Sequence, residues 1–442
     1  MPSKEELKSK ACQEIDRSSQ EIIEVVQTIL ENPETGFREV KTSRLVARKF
    51  AELGIAYRDG LAITGVKGVV RGGDDGPTVG ILGELDSLIV PDHPKADPQT
   101  GAAHACGHNA QIGMLIGVAV ALTGSGVLPS LAGGIAFIAV PAEEYIEIEF
   151  RDNLRKQGKL SFLGGKPELI KLGEFDDIDM AMMTHTSSVP EAKKLALGET
   201  NNGCVAKQIQ FIGKGAHAGG APHRGINALN AAMIALSAIH AQRETFQEDD
   251  TIRVHPIITK GGDAVNIVPA DVRMETFVRG KTLEAIKDAN EKVDRALRAG
   301  ALAVGGKVRI TTLPGYSPMI YDPNLQELYR SNAISLVGKE EVGQFGHRTG
   351  STDMGDVSHI MPVIHPYAGG ATGTGHGNDY LIQDYQLAVI NPAKAMAMTV
   401  IELLADGAAK GREVLSKSKP RMTKQEYLTS MESLLKEEEY EG

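Results

Sequence analysis

Three short apolar segments, each followed by an acid or a histidine, constrain the fold of this chain most strongly. The segments and their polar residues are 78–85 with Glu84 and Asp86, 134–140 with Glu143 and Glu144, and 179–184 with His185. Helical periodicity lies between them, notably over 109–122, and this alternation is typical of an α/β sheet. Ligands of open α/β sheets bind beyond the carboxyl ends of the strands. The pattern therefore predicts one site assembled from distant segments.

Residues 201–311 follow a different order of elements. The predicted elements are a strand at 204–212, a helix at 227–240, strands at 251–260 and 270–279, a helix at 282–303 and a strand at 307–313. This βαββαβ order is that of a ferredoxin-like α+β unit. We therefore expect a catalytic α/β domain with a mostly parallel sheet flanked by helices, formed by 1–200 and 312–442 and interrupted by an inserted domain at 201–311.

The two ends of the chain are predicted to be helical. Apolar positions at helical spacing predict helices over 4–31, ending at Asn32 and Pro33, and over about 42–53. The last thirty residues are strongly charged, which predicts a surface helix exposed to solvent.

Composition excludes several classes of partner. The formal net charge is −10, so no overall positive field attracts nucleic acid or an anionic membrane. The first twenty residues lack the apolar core of a signal peptide, and no run of 18 apolar residues is evident. Three scattered cysteines are too few for a disulfide framework. We expect a cytoplasmic protein with a small-molecule substrate.

Two local motifs carry metal chemistry. Cys106 and His108, separated by one glycine, provide a thiolate and an imidazole that can converge on one ion; the alternative is a buried cysteine beside a helix-capping histidine. Glu143 and Glu144 follow a predicted strand, so one carboxylate can bind metal while its neighbour acts as general base; the alternative is a solvated surface pair.

Taken together and in order, six motifs resemble a known family. They are residues 104–108 (His-Ala-Cys-Gly-His), 141–144 (Pro-Ala-Glu-Glu), 184–185 (Thr-His), 215–218 with 227–228, 351–358, and 375–376 (Gly-His). The chain resembles the dinuclear metallopeptidases that include aminoacylases and auxin-conjugate hydrolases, and it is most similar to the branch of p-aminobenzoyl-glutamate hydrolase. The resemblance extends over roughly residues 10–410.

The resemblance implies a set of metal ligands and a general base. It implies two divalent ions, Zn or Mn with Co or Ni as alternatives, and Asp86 as the acid that orients a ligand. Glu143 is implied as the catalytic acid and base. The implied ligands are Cys106, His108, Glu144, His185 and His376.

The chain departs from many relatives near this centre. Glu84 stands where relatives often have Asp, and Asn109 and Gln111 stand where many have Asp and His. We interpret these differences as a mark of the subgroup and of its substrate.

In the inserted domain, the resemblance implies a role in dimerisation and in covering the site. His217 is similar to the histidine that reaches a partner subunit's active site, where it donates to the developing oxyanion. Asn266 and Arg279 match positions that hold the substrate carboxylate. We therefore expect a homodimer or a higher homo-oligomer.

The function implied is hydrolysis of an amide bond of an N-acyl amino acid or dipeptide, by metal-activated water with Glu143 as general base. Two alternatives stay open. A hydrolase with Cys106 as nucleophile would leave Glu143, Glu144 and His376 without roles. A catalytically silent binding protein on the same fold would have no need of Glu143.

Overall fold

The larger sheet of the protein is mostly parallel. The structure, a computed structural model, describes residues 2–442. Parallel pairing joins the last four strands of this sheet, and the first two pair antiparallel at one edge. The strand order is Ala56–Leu61, Gly65–Arg71, Ala132–Val140, Asp74–Glu84, Met180–Met182 and Val363–Ile364. The predicted α/β class is confirmed.

Twelve α-helices are present in the described residues. Helices His108–Gly124 and Asn391–Lys417 both pack on the central strand Asp74–Glu84. The single predicted N-terminal helix is in fact two, because the chain breaks at Ser18. The helices are Lys4–Arg17, Ser19–Leu30, Val40–Glu52, His108–Gly124, Ile148–Lys156, Gly165–Leu172, Ala228–Gln242, Leu283–Val304, Pro323–Val337, Met354–Ile360, Asn391–Lys417 and Lys424–Ser433.

One helical stretch, Gln386–Lys417, is long and apolar enough to cross a membrane by length and composition alone, which the sequence analysis did not anticipate. However, 83% of its most apolar window is buried inside the protein. Non-helical backbone at Ala405, Asp406, Gly407 and Ala408 also interrupts it. Its apolar side chains belong to the core of the catalytic domain.

Short strands form smaller sheets around the main one. They are Met319–Ile320 with Thr200–Asn201 and His347–Arg348; Val342–Gln344 with Leu195–Leu197, Tyr367–Ala368 and His185–Thr186; Ala371–Thr372 with Leu381–Ile382; and Leu88–Ile89 with Ala102–Ala103. The His185–Thr186 strand brings His185 to the cleft described below.

The inserted unit is an antiparallel sheet packed against two helices. Its helices, Ala228–Gln242 and Leu283–Val304, begin after Asn227 and Thr282, whose side chains cap them. The strand order is Arg253–Val254, Asp271–Gly280, Gly203–Ile212, Lys307–Tyr316 and Lys436–Glu441, with Ile257–Lys260 also paired to Asp271–Gly280. The first four positions form the predicted ferredoxin-like arrangement.

The fifth strand corrects the prediction for the C-terminal tail. Within the last thirty residues, 413–417 complete helix Asn391–Lys417, and Lys424–Ser433 forms a separate helix that is anchored by Tyr427, which is buried in the main core. The following strand, Lys436–Glu441, pairs with Lys307–Tyr316 of the inserted unit. Its acidic side chains face basic ones across the ladder, for example Glu439 and Arg309 at 2.7 Å. Cross-strand charge pairing of this kind is not visible in local periodicity.

Candidate metal centre and active cleft

The predicted metal ligands, together with Asp86 and Glu143, meet at one edge of the main sheet. Glu84 ends strand Asp74–Glu84, and Glu143 follows strand Ala132–Val140 in parallel register with it. Cys106 lies just before helix His108–Gly124, where Gly107 adopts a left-handed φ of 96°. A Cβ at Gly107 would lie 2.1 Å from Thr186 Oγ1, so only glycine allows this approach.

Two histidines present the same ring nitrogen to the centre. His108 Nδ1 lies 2.9 Å from the backbone oxygen and 3.2 Å from Oδ1 of Asp86, and His185 Nδ1 lies 2.6 Å from Thr186 O. Because these oxygens only accept, each Nδ1 carries the hydrogen and each Nε2 keeps its lone pair in the neutral ring. His185 Nε2 is 3.2 Å from Cys106 Sγ.

Cys106 belongs to two groups of metal-ligand atoms. It forms one group with His108 and His185, and another with Glu144 and His376; within each group the ligand atoms lie within 4.8 Å of one another. Burial and Glu144 raise the pKa of the Cys106 thiol, but His185 and His108 outweigh them and lower it to about 6. A thiolate is the form that binds metal.

Glu144 and His376 face each other across the second group. Glu144 Oε1 is 3.3 Å from His376 Nε2. Burial opposes ionisation of Glu144, yet the nearby His376 lowers the pKa of that carboxyl. In return, Glu144 raises the pKa of His376 to about 11. His376 is held by its backbone N–H, which donates to Ala105 O at 2.8 Å.

Glu143 lies on the other side of His108. Its Oε2 is 3.8 Å from His108 Nε2, and Glu84, His108 and Glu143 form a third group of converging ligand atoms. Burial, followed by the negative charges of Glu84 and Glu144, raises the pKa of Glu143 well above its ordinary value. A carboxyl that holds its proton more tightly than usual suits a group that must both take and return one.

These residues fit a two-ion centre. His108 Nε2 and Glu144 Oε1 are buried and have no hydrogen-bond partner within residues 2–442, although both point into the centre. Thiolate, imidazole and carboxylate ligands suit Zn and other first-row divalent ions. Because Cys106 is common to two groups, it would be shared between the two ions.

A cleft of about 740 Å³ opens over this centre. Cys106, Glu143, Glu144, His185 and His376 line it from the catalytic domain, and Arg279 lines it from the inserted unit. The cleft is therefore formed by both domains.

His217 and Asn266 lie elsewhere. Neither is among the described residues that line the cleft, and both are exposed on the inserted unit, where Asn266 O accepts from Ala218 N at 3.0 Å. His217 Nδ1 accepts from the backbone N–H groups of Gly219 and Gly220 at 3.2 and 3.0 Å, so Nε2 is left as an outward donor.

Several residues of the cleft were not predicted from the sequence. The ring of His365 lies 5.9 Å from that of His185 in the cleft wall. Arg348 stacks over Phe345 and Tyr367 at 4.6 and 4.4 Å, and Tyr316 donates to the backbone oxygen of Glu143. None of these residues stands in a motif with diagnostic spacing, so only the folded chain identifies them.

The structural role of Arg151 was not predicted from the sequence either. Its side chain is fully buried and donates to the backbone oxygens of Ala142 and Leu163 at 3.1 and 3.0 Å, and to that of Glu144. It therefore fixes the loop that carries the two glutamates, in which Ala142 has a positive φ of 55°.

An α/β domain with a dinuclear ligand set and an inserted ferredoxin-like unit defines a class of metal-dependent hydrolases, and the comparisons agree. A peptidase dimerisation domain of the M20 type matches residues 200–304. The Xaa-Arg dipeptidase of Mus musculus is 31% identical over 321 residues, which cover 70% of this chain and 68% of that protein. The chain belongs to the M20 family of metallopeptidases.

Solved structures share the fold. A dinuclear metal-binding M20 peptidase from Bacillus subtilis matches with a TM-score of 0.63 and 21% identity, over 87% of this chain and 98% of that one. An aminobenzoyl-glutamate utilization protein from Klebsiella pneumoniae matches with a TM-score of 0.66 and 18% identity, over 88% and 97%. The protein is a metal-dependent hydrolase of amide bonds, and its converging ligand groups could hold two ions.

Proposed function

We propose that the protein hydrolyses the amide bond of an N-acyl amino acid or a dipeptide whose free carboxylate is bound by arginine. The observation that supports this most directly is the charge of the cleft. Arg279 and Arg348 line it, and the acids among its described lining residues are Glu143 and Glu144, which belong to the metal centre. A substrate carboxylate matches the guanidinium groups in charge and planar geometry.

The acyl side of the substrate meets apolar surface. Leu88, Ile146, Val189 and Phe277 line the cleft together with the arginines. An apolar acyl group, an aroyl group or an apolar N-terminal residue would fit against them. A basic side chain would find no uncommitted carboxylate among the described lining residues, so we expect poor hydrolysis of substrates with a C-terminal arginine.

In this proposal Cys106, His108 and His185 hold one ion, and Cys106, Glu144 and His376 hold the other. When bound, the ions lower the pKa of water and polarise the amide carbonyl. Asp86 orients His108 through Nδ1 and accepts the backbone N–H of Glu144 at 2.9 Å, so one carboxylate positions a ligand on each side. Glu143 takes a proton from the attacking water and delivers it to the leaving nitrogen.

The test is a substrate panel assayed with metal-loaded protein. It contains N-acetyl and N-aroyl amino acids, p-aminobenzoyl-glutamate and dipeptides, each beside its C-terminal amide. We expect kcat/KM to fall at least tenfold when the carboxylate is amidated and when Arg348 is replaced by Met. Equal rates on free acids and amides would contradict the proposal.

Inhibition experiments distinguish the metal mechanism from the alternative mechanism with Cys106 as nucleophile. Its Sγ is 3.2 Å from His185 Nε2, a distance that also suits a thiolate–imidazolium pair. The metal mechanism predicts that a chelator abolishes activity and that added divalent ions restore it. Activity that survives complete removal of metal but is lost on alkylation would favour the thiol mechanism.

We further propose a homodimer in which His217 serves the site of the partner subunit. The inserted unit exposes Met233, Ile257 and Val265, which are 56%, 59% and 101% accessible, and Val265 lies two residues from Ile267, which pairs with His217. Exposed apolar groups beside an outward-facing donor are typical of an interface.

Subunit mixing tests the dimer. His217→Ala and Glu143→Gln proteins should each be inactive, but exchange between them should create hybrid dimers with one complete site. A monomer at assay concentration, or fully exchanged hybrids without activity, would contradict the proposal.

The native metal and the location of the protein are further proposals. Cysteine with histidine ligands favours Zn, and the carboxylates also accept Mn, with Co or Ni as alternatives. Three free thiols are compatible with a reducing, cytoplasmic location. Elemental analysis of protein purified without added metal and fractionation of the source cells test these two points.

A further inference from the structure

We infer that Glu84 is an additional ligand of the ion held by His108, so that this ion is bound by a carboxylate from the end of strand Asp74–Glu84. The inference rests on the proposed metal centre and adds a residue to it. Glu84 is 1% exposed, and its Oε2 lies 3.1 Å from His108 Nε2.

The direction of the two atoms supports coordination. His108 Nδ1 contacts two acceptor oxygens of Asp86, so in the neutral ring Nε2 presents a lone pair toward Glu84. The contact between Nε2 and Oε2 does not have hydrogen-bond geometry. Two electron-rich atoms at this distance repel each other unless a ring proton or a metal cation lies between them, and the lack of hydrogen-bond geometry favours the metal cation.

The other partners of Glu84 hold this oxygen in place. Lys166 Nζ lies 2.6 Å from Oε1, while Gln111 Nε2 donates to Oε2 at 2.8 Å and Gln111 Oε1 accepts the backbone N–H of Glu84 at 3.1 Å. Oε1 is thus committed to Lys166, and Oε2 is positioned toward His108. Such outer contacts are what a metal ligand requires to keep its orientation.

The balance of buried charge around Glu84 also supports coordination of an ion. Lys166 is fully buried, and its single positive charge is shared between Glu84 and Asp353, whose Oδ2 also accepts the Lys166 backbone N–H at 2.9 Å. Two buried carboxylates therefore face one buried ammonium, with Glu143 nearby. Buried charge without compensation is costly, so Oε2 needs a positive partner on the side of His108, which a divalent ion supplies when the His108 ring is neutral.

A purely structural role as the partner of Lys166 is the competing explanation. Glu84→Gln keeps the length of the side chain but weakens coordination. Asp353→Asn is the matched control, because it removes the other carboxylate partner of Lys166 in an equally buried position. Asp353 belongs to none of the three groups of converging ligand atoms.

The measurement is metal content and affinity, determined by elemental analysis and by titration against a metal-buffering chelator with Zn²⁺ and Mn²⁺. We expect Glu84→Gln to weaken the binding of one of the two ions at least tenfold, while the metal affinities of Asp353→Asn stay within about threefold of the wild type. Equal losses in the two variants, or wild-type affinity for both ions in Glu84→Gln, would overturn the inference.

A crystal structure of the wild-type protein with Mn²⁺, located by anomalous scattering, decides the matter even if a variant fails to fold. We expect Glu84 Oε2 within about 2.0–2.2 Å of an ion, as for carboxylate ligands generally. Two ions with Glu84 beyond contact would overturn this inference alone. A wild-type protein that binds no ion would overturn the proposed function as well.

Discussion

Replacing Glu143 by Gln separates the chemical step from metal binding. The proposed ligands of both ions remain in this variant, and glutamine matches glutamate in size, so neither a cavity nor a steric clash arises at a side chain that is 8% exposed. The backbone of the loop is held independently, by Arg151 and by Tyr316. The substitution therefore removes the proton acceptor and little else.

The expected loss follows from the role of that proton acceptor. General acid–base groups contribute about 10²–10⁴-fold, which corresponds to about 2.7–5.4 kcal/mol at 1.36 kcal/mol per tenfold. We expect kcat to fall by this factor while KM changes little and two ions are retained. The assay is steady-state hydrolysis of the best substrate of the panel, with metal content measured on the same sample.

A second measurement shows that the loss is not misfolding. In the metal-free protein, burial and the charges of Glu84 and Glu144 raise the pKa of Glu143 above its ordinary value of 4.5. Its ionisation therefore destabilises the fold increasingly as the pH rises above 4.5, because the folded state binds the proton more tightly. Metal-free Glu143→Gln should unfold at a higher temperature than the wild type at pH 8, and the difference should vanish near pH 4.

Activity above about one hundredth of the wild-type rate, or loss of an ion from Glu143→Gln, would refute the assignment of Glu143 as general base. In the first case another group moves the proton. In the second case Glu143 is itself a metal ligand.

Three further predictions concern other parts of the protein. Cys106→Ala should lower the content of both ions, because Cys106 belongs to both ligand groups, and elemental analysis would contradict this by finding one ion at full occupancy. Burial raises the pKa of Asp356 from 3.8 to about 8, so wild-type stability should decline between these pH values, whereas thermal melts of Asp356→Asn should lack that decline. Deleting residues 436–442 removes six cross-strand pairs and should lower the free energy of unfolding by about 1–3 kcal/mol in urea titrations; an unchanged value would show that the strand Lys436–Glu441 contributes nothing.

Local sequence patterns were sufficient to predict the helices and strands that have a clear hydrophobic periodicity or a capping residue. Helix His108–Gly124 and the βαββαβ unit lie within a few residues of their predicted positions, because periodicity and capping residues such as Asn227 and Thr282 act over short distances. The prediction of a surface helix for the C-terminal tail was wrong in part. The strand Lys436–Glu441 contains one lysine, one tyrosine and four glutamates, three of them consecutive, so it has little strand propensity of its own and forms because Lys307 and Arg309 face it.

The sequence by itself determined which residue types are available for metal binding and proton transfer. Only the tertiary structure decided which of these residues lie together in one cleft and which lie apart. The positions of the motifs after predicted strands were enough to predict that Cys106, Glu143 and His185 lie at one sheet edge, because ligands of open α/β sheets bind beyond the carboxyl ends of the strands. The position of Glu84 against His108 depends on Lys166, which lies 82 residues away in sequence and has no motif. The separation of His217 from the cleft of its own chain likewise follows from how the inserted unit is oriented. Such long-range contacts leave no local pattern, because each is fixed by packing between segments that are unrelated in sequence.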